Sequence, residues 1–145
     1  MTDSEGFDEA ALDFAKFCLL QPESHLTDSC RLLAVRPDGY NTGPEAFADN
    51  RSLQCDDIGE VLPIVAYWCR LNTVTLEIHY CDEVYSCRFT QGAPVHQIIE
   101  TDGSANLCHE LLFGASFLAK QMKTVNPPIP TMRWSDFAEG RRADA

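Results

Sequence analysis

The chain has 145 residues, 45% of them hydrophobic, enough for one domain with a substantial core. Its 22 acidic residues outnumber 11 basic ones, and the formal charge of −11 argues against direct tracking of a phosphate backbone, which needs clustered Lys and Arg. No apolar run is long enough to span a bilayer, and residues 1–9 lack the charged-then-apolar order of a signal peptide.

Residues 1–12 read as an acidic N-terminal extension. Over residues 13–20, Leu12, Ala15, Phe17 and Leu19 allow either a helical or a strand period, and Gln21-Pro22-Glu23-Ser24 then breaks the chain. Residues 26–36 read as a strand with apolar residues on both faces: Leu33 and Val35 on one, Cys30, Leu32 and Ala34 on the other. Pro37-Asp38-Gly39 is a turn, because proline presets its own φ and glycine accepts a positive one. Residues 40–50 look like a loop with room for a short strand. Ile58, Val61, Leu62, Val65 and Trp68 or Cys69 then predict a helix over about residues 56–71. Pro63 interrupts that pattern at a cost of roughly 3 kcal/mol, so the helix either kinks there or starts close to it.

The most ordered stretch comes next. Val74, Leu76, Ile78 and Tyr80 alternate with Thr75, Glu77 and His79, the period of a half-buried strand. Cys81, Asp82 and Glu83 supply a turn, and Tyr85, Cys87 and Phe89 alternate with Ser86, Arg88 and Thr90 on the return strand. Ser104 is the expected N-cap of a last helix carrying Leu107, Leu111, Ala115, Leu118 and Met122 on one stripe. Leu112, Phe113 and Phe117 lie off it, and this surplus of apolar residues predicts a second surface to cover. Residues 127–145, which open with three prolines, read as an extended or disordered tail.

Seven cysteines, an odd number without a secretion signal, point to free thiols in a reducing compartment, several of them packed as small hydrophobes. Cys30, Cys69 and Cys108 are evenly spaced, but they fall in different element types, which argues against an internal repeat. No C-x-x-C pair exists, and His79 points away from Cys87 on the strand alternation, so no metal site is expected. Cys108 and His109 are neighbours on a helix and point apart, which leaves no supported nucleophile. Asp56-Asp57 and Asp82-Glu83 are explained by a helix cap and a hairpin turn. No glycine-rich phosphate loop is present. The chain therefore reads as a binding module, not an enzyme, with no cofactor.

With the elements placed, the chain resembles the Mago nashi family, a core subunit of the exon junction complex. One anchor runs from Asp13-Phe14 to Arg36-Pro37-Asp38-Gly39 and matches the family's N-terminal hairpin in length. A second is Leu76-Glu77-Ile78 followed by Asp82-Glu83 and Phe89-Thr90. The third is the order of elements, a helix before that hairpin and a long apolar helix after it. The connection over residues 70–74 is shorter than the family's, Pro63 interrupts the matching helix, and residues 131–145 are additional.

The resemblance implies an α+β fold over residues 13–126, an antiparallel sheet of about six strands with two main helices on one face, and makes residues 13–20 a strand. It implies heterodimerisation with an RRM protein, whose β-sheet the helices cover, and participation with a DEAD-box RNA helicase in clamping spliced mRNA. RNA is then contacted only indirectly, and residence is nuclear with possible shuttling to the cytoplasm. The helix residues expected to meet the partner are Leu107, Leu111, Leu112, Phe113, Phe117 and Leu118 on the last helix and Val61, Val65 and Trp68 on the first. The competing expectation is an acidic homodimeric chaperone of the type III secretion kind, which shares this size, charge and element mix and holds an extended client.

Overall fold

The computed structural model describes residues 2–20, 24–33, 52–92 and 96–126. Its first element is helical. Phe7, Ala10, Ala11, Phe14, Ala15 and Cys18 are all buried, the spacing of one continuous helix stripe. They lie on α1 (Thr2–Asp13) and on a π-helical turn, Phe14–Cys18, closed by the Leu19 N–H donating to the Phe14 carbonyl at 3.1 Å. Residues 13–20 are thus a helical turn and not the strand that the family resemblance implies. The helix before them is likewise not an appendage from Phe7 onward, since Phe7, Ala10 and Ala11 are part of the core. Burial of the small Ala10, Ala11 and Ala15 decides this, because they let the helix approach its neighbours closely.

The strand expected over residues 26–36 is broken by a turn. β1 (His25–Leu26) and β2 (Arg31–Leu33) pair antiparallel, and β3 (Ser52–Gln54) joins β2 on its other side. The break has a side-chain cause: the Thr27 hydroxyl accepts from the Arg31 N–H at 3.1 Å, and the Thr27 carbonyl accepts from the Cys30 N–H at 3.0 Å. Cys30 takes a left-handed φ of 66° to complete the turn. Residues 34–51, including the Arg36-Pro37-Asp38-Gly39 anchor, lie outside the described residues, as does the tail over 127–145.

α2 (Ile58–Leu71) starts where its cap dictates. The Asp57 side chain accepts from the Gly59 N–H at 2.9 Å, and the Glu60 carboxylate accepts from the Gln54 N–H, also at 2.9 Å. Pro63 sits inside this helix and does not start it. A proline inside a helix crowds the carbonyl four residues earlier, here that of Gly59, where the absence of a side chain leaves the backbone most freedom to adjust. Val61, Ile64, Val65, Trp68 and Cys69 form the buried stripe. At the C-terminal end the buried Asn72 amide donates to the Trp68 carbonyl and to the Asn126 carbonyl, both at 2.9 Å. Its oxygen accepts from the Asn126 N–H at 2.8 Å, so this one side chain clasps the end of the described chain to α2.

The predicted hairpin is present. β4 (Val74–Cys81) and β5 (Val84–Gln91) pair in one unbroken register, and β6 (Gln97–Glu100) pairs with the other side of β5. Asp82 and Glu83 form the two-residue turn, with φ of 56° and 66°. Past β6, the Cys87 N–H donates to the Thr101 hydroxyl and the Thr101 N–H to the Cys87 carbonyl, both at 3.0 Å. Gly103 follows at φ 106°, and a Cβ there would lie 2.8 Å from Val84 Cγ1.

α3 (Leu107–Gln121) is capped by Asn106, whose side chain accepts from the His109 N–H at 3.2 Å; Ser104 instead pairs with Tyr85 as a β-bridge. α3 touches α1, the π turn, α2, β5 and β6, which makes it the central element of the domain. The fold is therefore α+β, with its six described strands divided into two antiparallel three-stranded sheets. Three helices, with α1 the addition to the two expected, pack around the core between them.

Candidate functional site

The residues singled out in the sequence divide sharply by depth. Leu111, Leu112 and Leu118 on α3, and Val61, Val65 and Trp68 on α2, are completely buried within the chain's own core. Leu107 is half-buried. Phe113 and Phe117 alone among the nine are exposed, at 43% and 40%. The surplus apolar surface of α3 is thus mostly spent on α1, the π turn and α2, neighbours that the sequence pattern does not reveal.

What remains outside is an aromatic strip one helix face wide. His109, Phe113 and Phe117 follow each other at four-residue spacing and share a side of α3. The Phe113 and Phe117 rings are nearly parallel, with centroids 5.9 Å apart and an interplanar angle of 7°. His109 meets Phe113 edge-on at 6.1 Å and meets the buried Phe7 of α1 edge-on at 6.2 Å on its other side. The strip is therefore braced at one end by α1.

A cationic border lies toward the other end. Lys120 Nζ is 3.1 Å from Asp13 Oδ2 and 5.2 Å from the centroid of the half-buried Phe17 ring, and Lys16 Nζ is 5.3 Å from the same ring. Phe17 and its two lysines are not among the residues that the sequence predicts to meet a partner. The signal was present, since Phe17 is the large residue that breaks step with the buried stripe at Phe14 and Cys18. Two lysines over one half-buried aromatic ring are notable in a chain with only 11 basic residues.

The chemistry of the remaining side chains is quiet. Among the described residues no group of three His, Cys, Asp or Glu is placed to hold a metal ion. The seven cysteines are free thiols. Burial first, and neighbouring thiols or carboxylates second, push Cys18, Cys55, Cys69, Cys87 and Cys108 upward, the opposite of what a thiolate nucleophile needs. A cleft of about 550 Å³ lies between α1 and the β1–β2 turn, with Asp8, His25, Asp28 and Cys30 on its walls. The Cys30 thiol there is also raised, by burial and then by Asp56 and Asp8.

No family model, curated protein or solved structure matches this chain.

Proposed function

We propose that this domain is a non-enzymatic interaction subunit that holds the β-sheet of an RRM protein against the outer strip of α3. The observation that carries this reading is the parallel pair Phe113 and Phe117, exposed on a helix whose other large apolar residues are all at least half-buried. RRM sheets display aromatic side chains that stack on flat partners, which such a pair supplies. The charge of −11 suits a basic, RNA-binding partner and disfavours RNA itself. The partner class comes from the Mago nashi resemblance at Leu76-Glu77-Ile78, Asp82-Glu83 and Phe89-Thr90. The same resemblance extends the reading to an exon junction-type complex on spliced mRNA, with a DEAD-box helicase as the third component and a nuclear location.

The test is affinity purification from the native source with identification of what co-elutes, followed by binding measurements on Phe117→Asp. The exposed part of each ring would contribute on the order of 1 kcal/mol when covered, and a carboxylate left in the interface costs more, so the variant should bind at least about tenfold more weakly. Its unfolding midpoint should fall only moderately, through the loss of the covered part of the ring and of its stacking on Phe113, and the domain should stay folded. An RRM protein bound with unchanged affinity by a folded F117D chain would remove α3 as the binding face. Recovery of an extended client and no RRM protein would replace the whole reading with the chaperone one.

A further inference from the structure

The free edge of β4 is a second surface, independent of the α3 strip. The second sheet runs β4-β5-β6, and among the described residues nothing pairs with the outer side of β4. The orientation of its main chain follows from the register. Thr73 accepts from the Gly92 N–H at 3.2 Å, and the register places Thr75, Glu77, His79 and Cys81 in the same phase, so these residues turn their polar groups toward β5. Leu76, Ile78 and Tyr80 alternate with them and present both N–H and C=O to the open edge.

Proteins that stay monomeric usually blunt such an edge with proline, lysine, a bulge or a very short strand. β4 has none of these: its pairing is continuous over eight residues, and it contains no proline and no lysine. Its side chains are also unspent. Ile78 is 39% and Tyr80 60% exposed on one face, with the Tyr80 ring 4.8 Å from that of Tyr85. On the other face Glu77 and His79 are exposed and 3.5 Å apart.

We propose that a second copy of this chain occupies this edge, β4 pairing antiparallel with β4 about a two-fold axis at Ile78, so that two three-stranded sheets become one continuous sheet. In this register Ile78 faces its counterpart, Leu76 faces the second copy's Tyr80, and Glu77 faces the second copy's His79. Leu76, Ile78 and Tyr80 all become reciprocal hydrogen-bonded pairs, about six main-chain bonds in total. Apolar side chains meet on one face, and acid meets histidine on the other. Neighbouring registers lose this match. A slip of one residue sets edge-facing groups against groups already bonded to β5. A slip of two in either direction sets Glu77 against Glu77 or His79 against His79. The self-complementarity is thus specific to one alignment, as a two-fold interface requires. A single strand edge is smaller than a standard interface, and each copy carries −11, so the dimer is weak and concentration-dependent.

Sedimentation velocity on the full chain, from low micromolar to near-millimolar concentration at physiological salt, tests this. The expected result is a reversible monomer–dimer equilibrium. Ile78→Lys, which sets like charges at the two-fold axis, should weaken it by about tenfold or more, and Phe117→Asp should leave it unchanged. Glu77→Lys and His79→Glu should each weaken it, and the double reversal E77K/H79E should restore it, since a basic side chain again faces an acidic one across the axis. These positions are exposed, and unchanged thermal midpoints would establish that the variants fold. A chain that stays monomeric throughout overturns the proposal. So does a dimer that I78K and the single reversals leave intact, or one that F117D abolishes.

Discussion

Gly114 lies in the middle of α3, where alanine would ordinarily stabilise a helix by about 1 kcal/mol. Here the opposite is expected. A Cβ at this position would collide with Phe89 Cε1, lie 2.8 Å from Phe89 Cδ1 and come within 3.1 Å of Thr101 Cγ2. Phe89 is completely buried, so its ring has no solvent to swing into, and Thr101 is fixed by its two bonds to Cys87. Either α3 lifts off the second sheet or the ring leaves its rotamer, and with two ring carbons this close the overpacking cost lies at the top of the usual range, about 2–3 kcal/mol. Set against the propensity gain, Gly114→Ala should destabilise by about 1–2 kcal/mol, a fall in thermal midpoint of roughly 3–8 °C for a domain of this size. Urea unfolding followed by far-UV circular dichroism measures it. Adding Phe89→Leu should recover part of the loss, giving a coupling energy of about 0.5 kcal/mol or more. A Gly114→Ala protein as stable as wild type, or more so, would refute the close seating of α3 on β5.

Two further expectations concern backbone and burial. Glu83 occupies the second left-handed position of the β4–β5 turn at φ 66°, where glycine avoids the Cβ clash, so Glu83→Gly should raise stability by about 0.5–1 kcal/mol. An unchanged or lower urea midpoint would show that the turn is not under the strain its φ values imply. Burial, reinforced by the nearby Cys87 thiol, pushes the Cys69 pKa from 9.0 up to about 12. Below pH 9 the thiol is protonated whether the chain is folded or unfolded and contributes no pH dependence. Between 9 and 12 only the unfolded thiol ionises, so stability falls as pH rises, by about 1.4 kcal/mol per pH unit for this one group. The stability advantage of wild type over Cys69→Ala should therefore shrink between about pH 8 and about pH 10. A difference that stays constant with pH would mean that Cys69 is not held protonated in the fold.

The legible parts of the sequence were those set by local physics. The alternation from Val74 to Phe89 specified both strands, and Asp82-Glu83 the turn between them, because a side chain's face in a strand depends only on its neighbours. α2 and α3 were legible for the same reason at the helical period. Where competing local signals existed, reading failed. Thr27, Asp28 and Ser29 were read through as part of a strand, although Thr27 and its neighbours offered the backbone the turn it takes. α1 was missed because its buried stripe is built largely of alanine, while the exposed Leu12 and half-buried Phe17 drew attention to a different periodicity. In the candidate site, Phe113 and Phe117 were marked together with Leu111, Leu112 and Leu118, and nothing local separated the two groups.

What the amino-acid sequence determined by itself is the class of the fold, the approximate span of the long helices and the central hairpin, and the packing of several cysteines as small hydrophobes. Periodicity reports that a face is buried. It does not report what covers it. Only the tertiary structure decided that α1 and the π turn close over α3 on one side, that α2 closes it on another, and that a single strip from His109 to Phe117 is left facing out. The edge of β4 that is open among the described residues is equally a property of the assembled sheet, since an edge exists only once the strands that do pair have found each other. Both candidate surfaces depend on contacts between elements distant in the chain, and such contacts leave no spacing pattern for a local reading to detect.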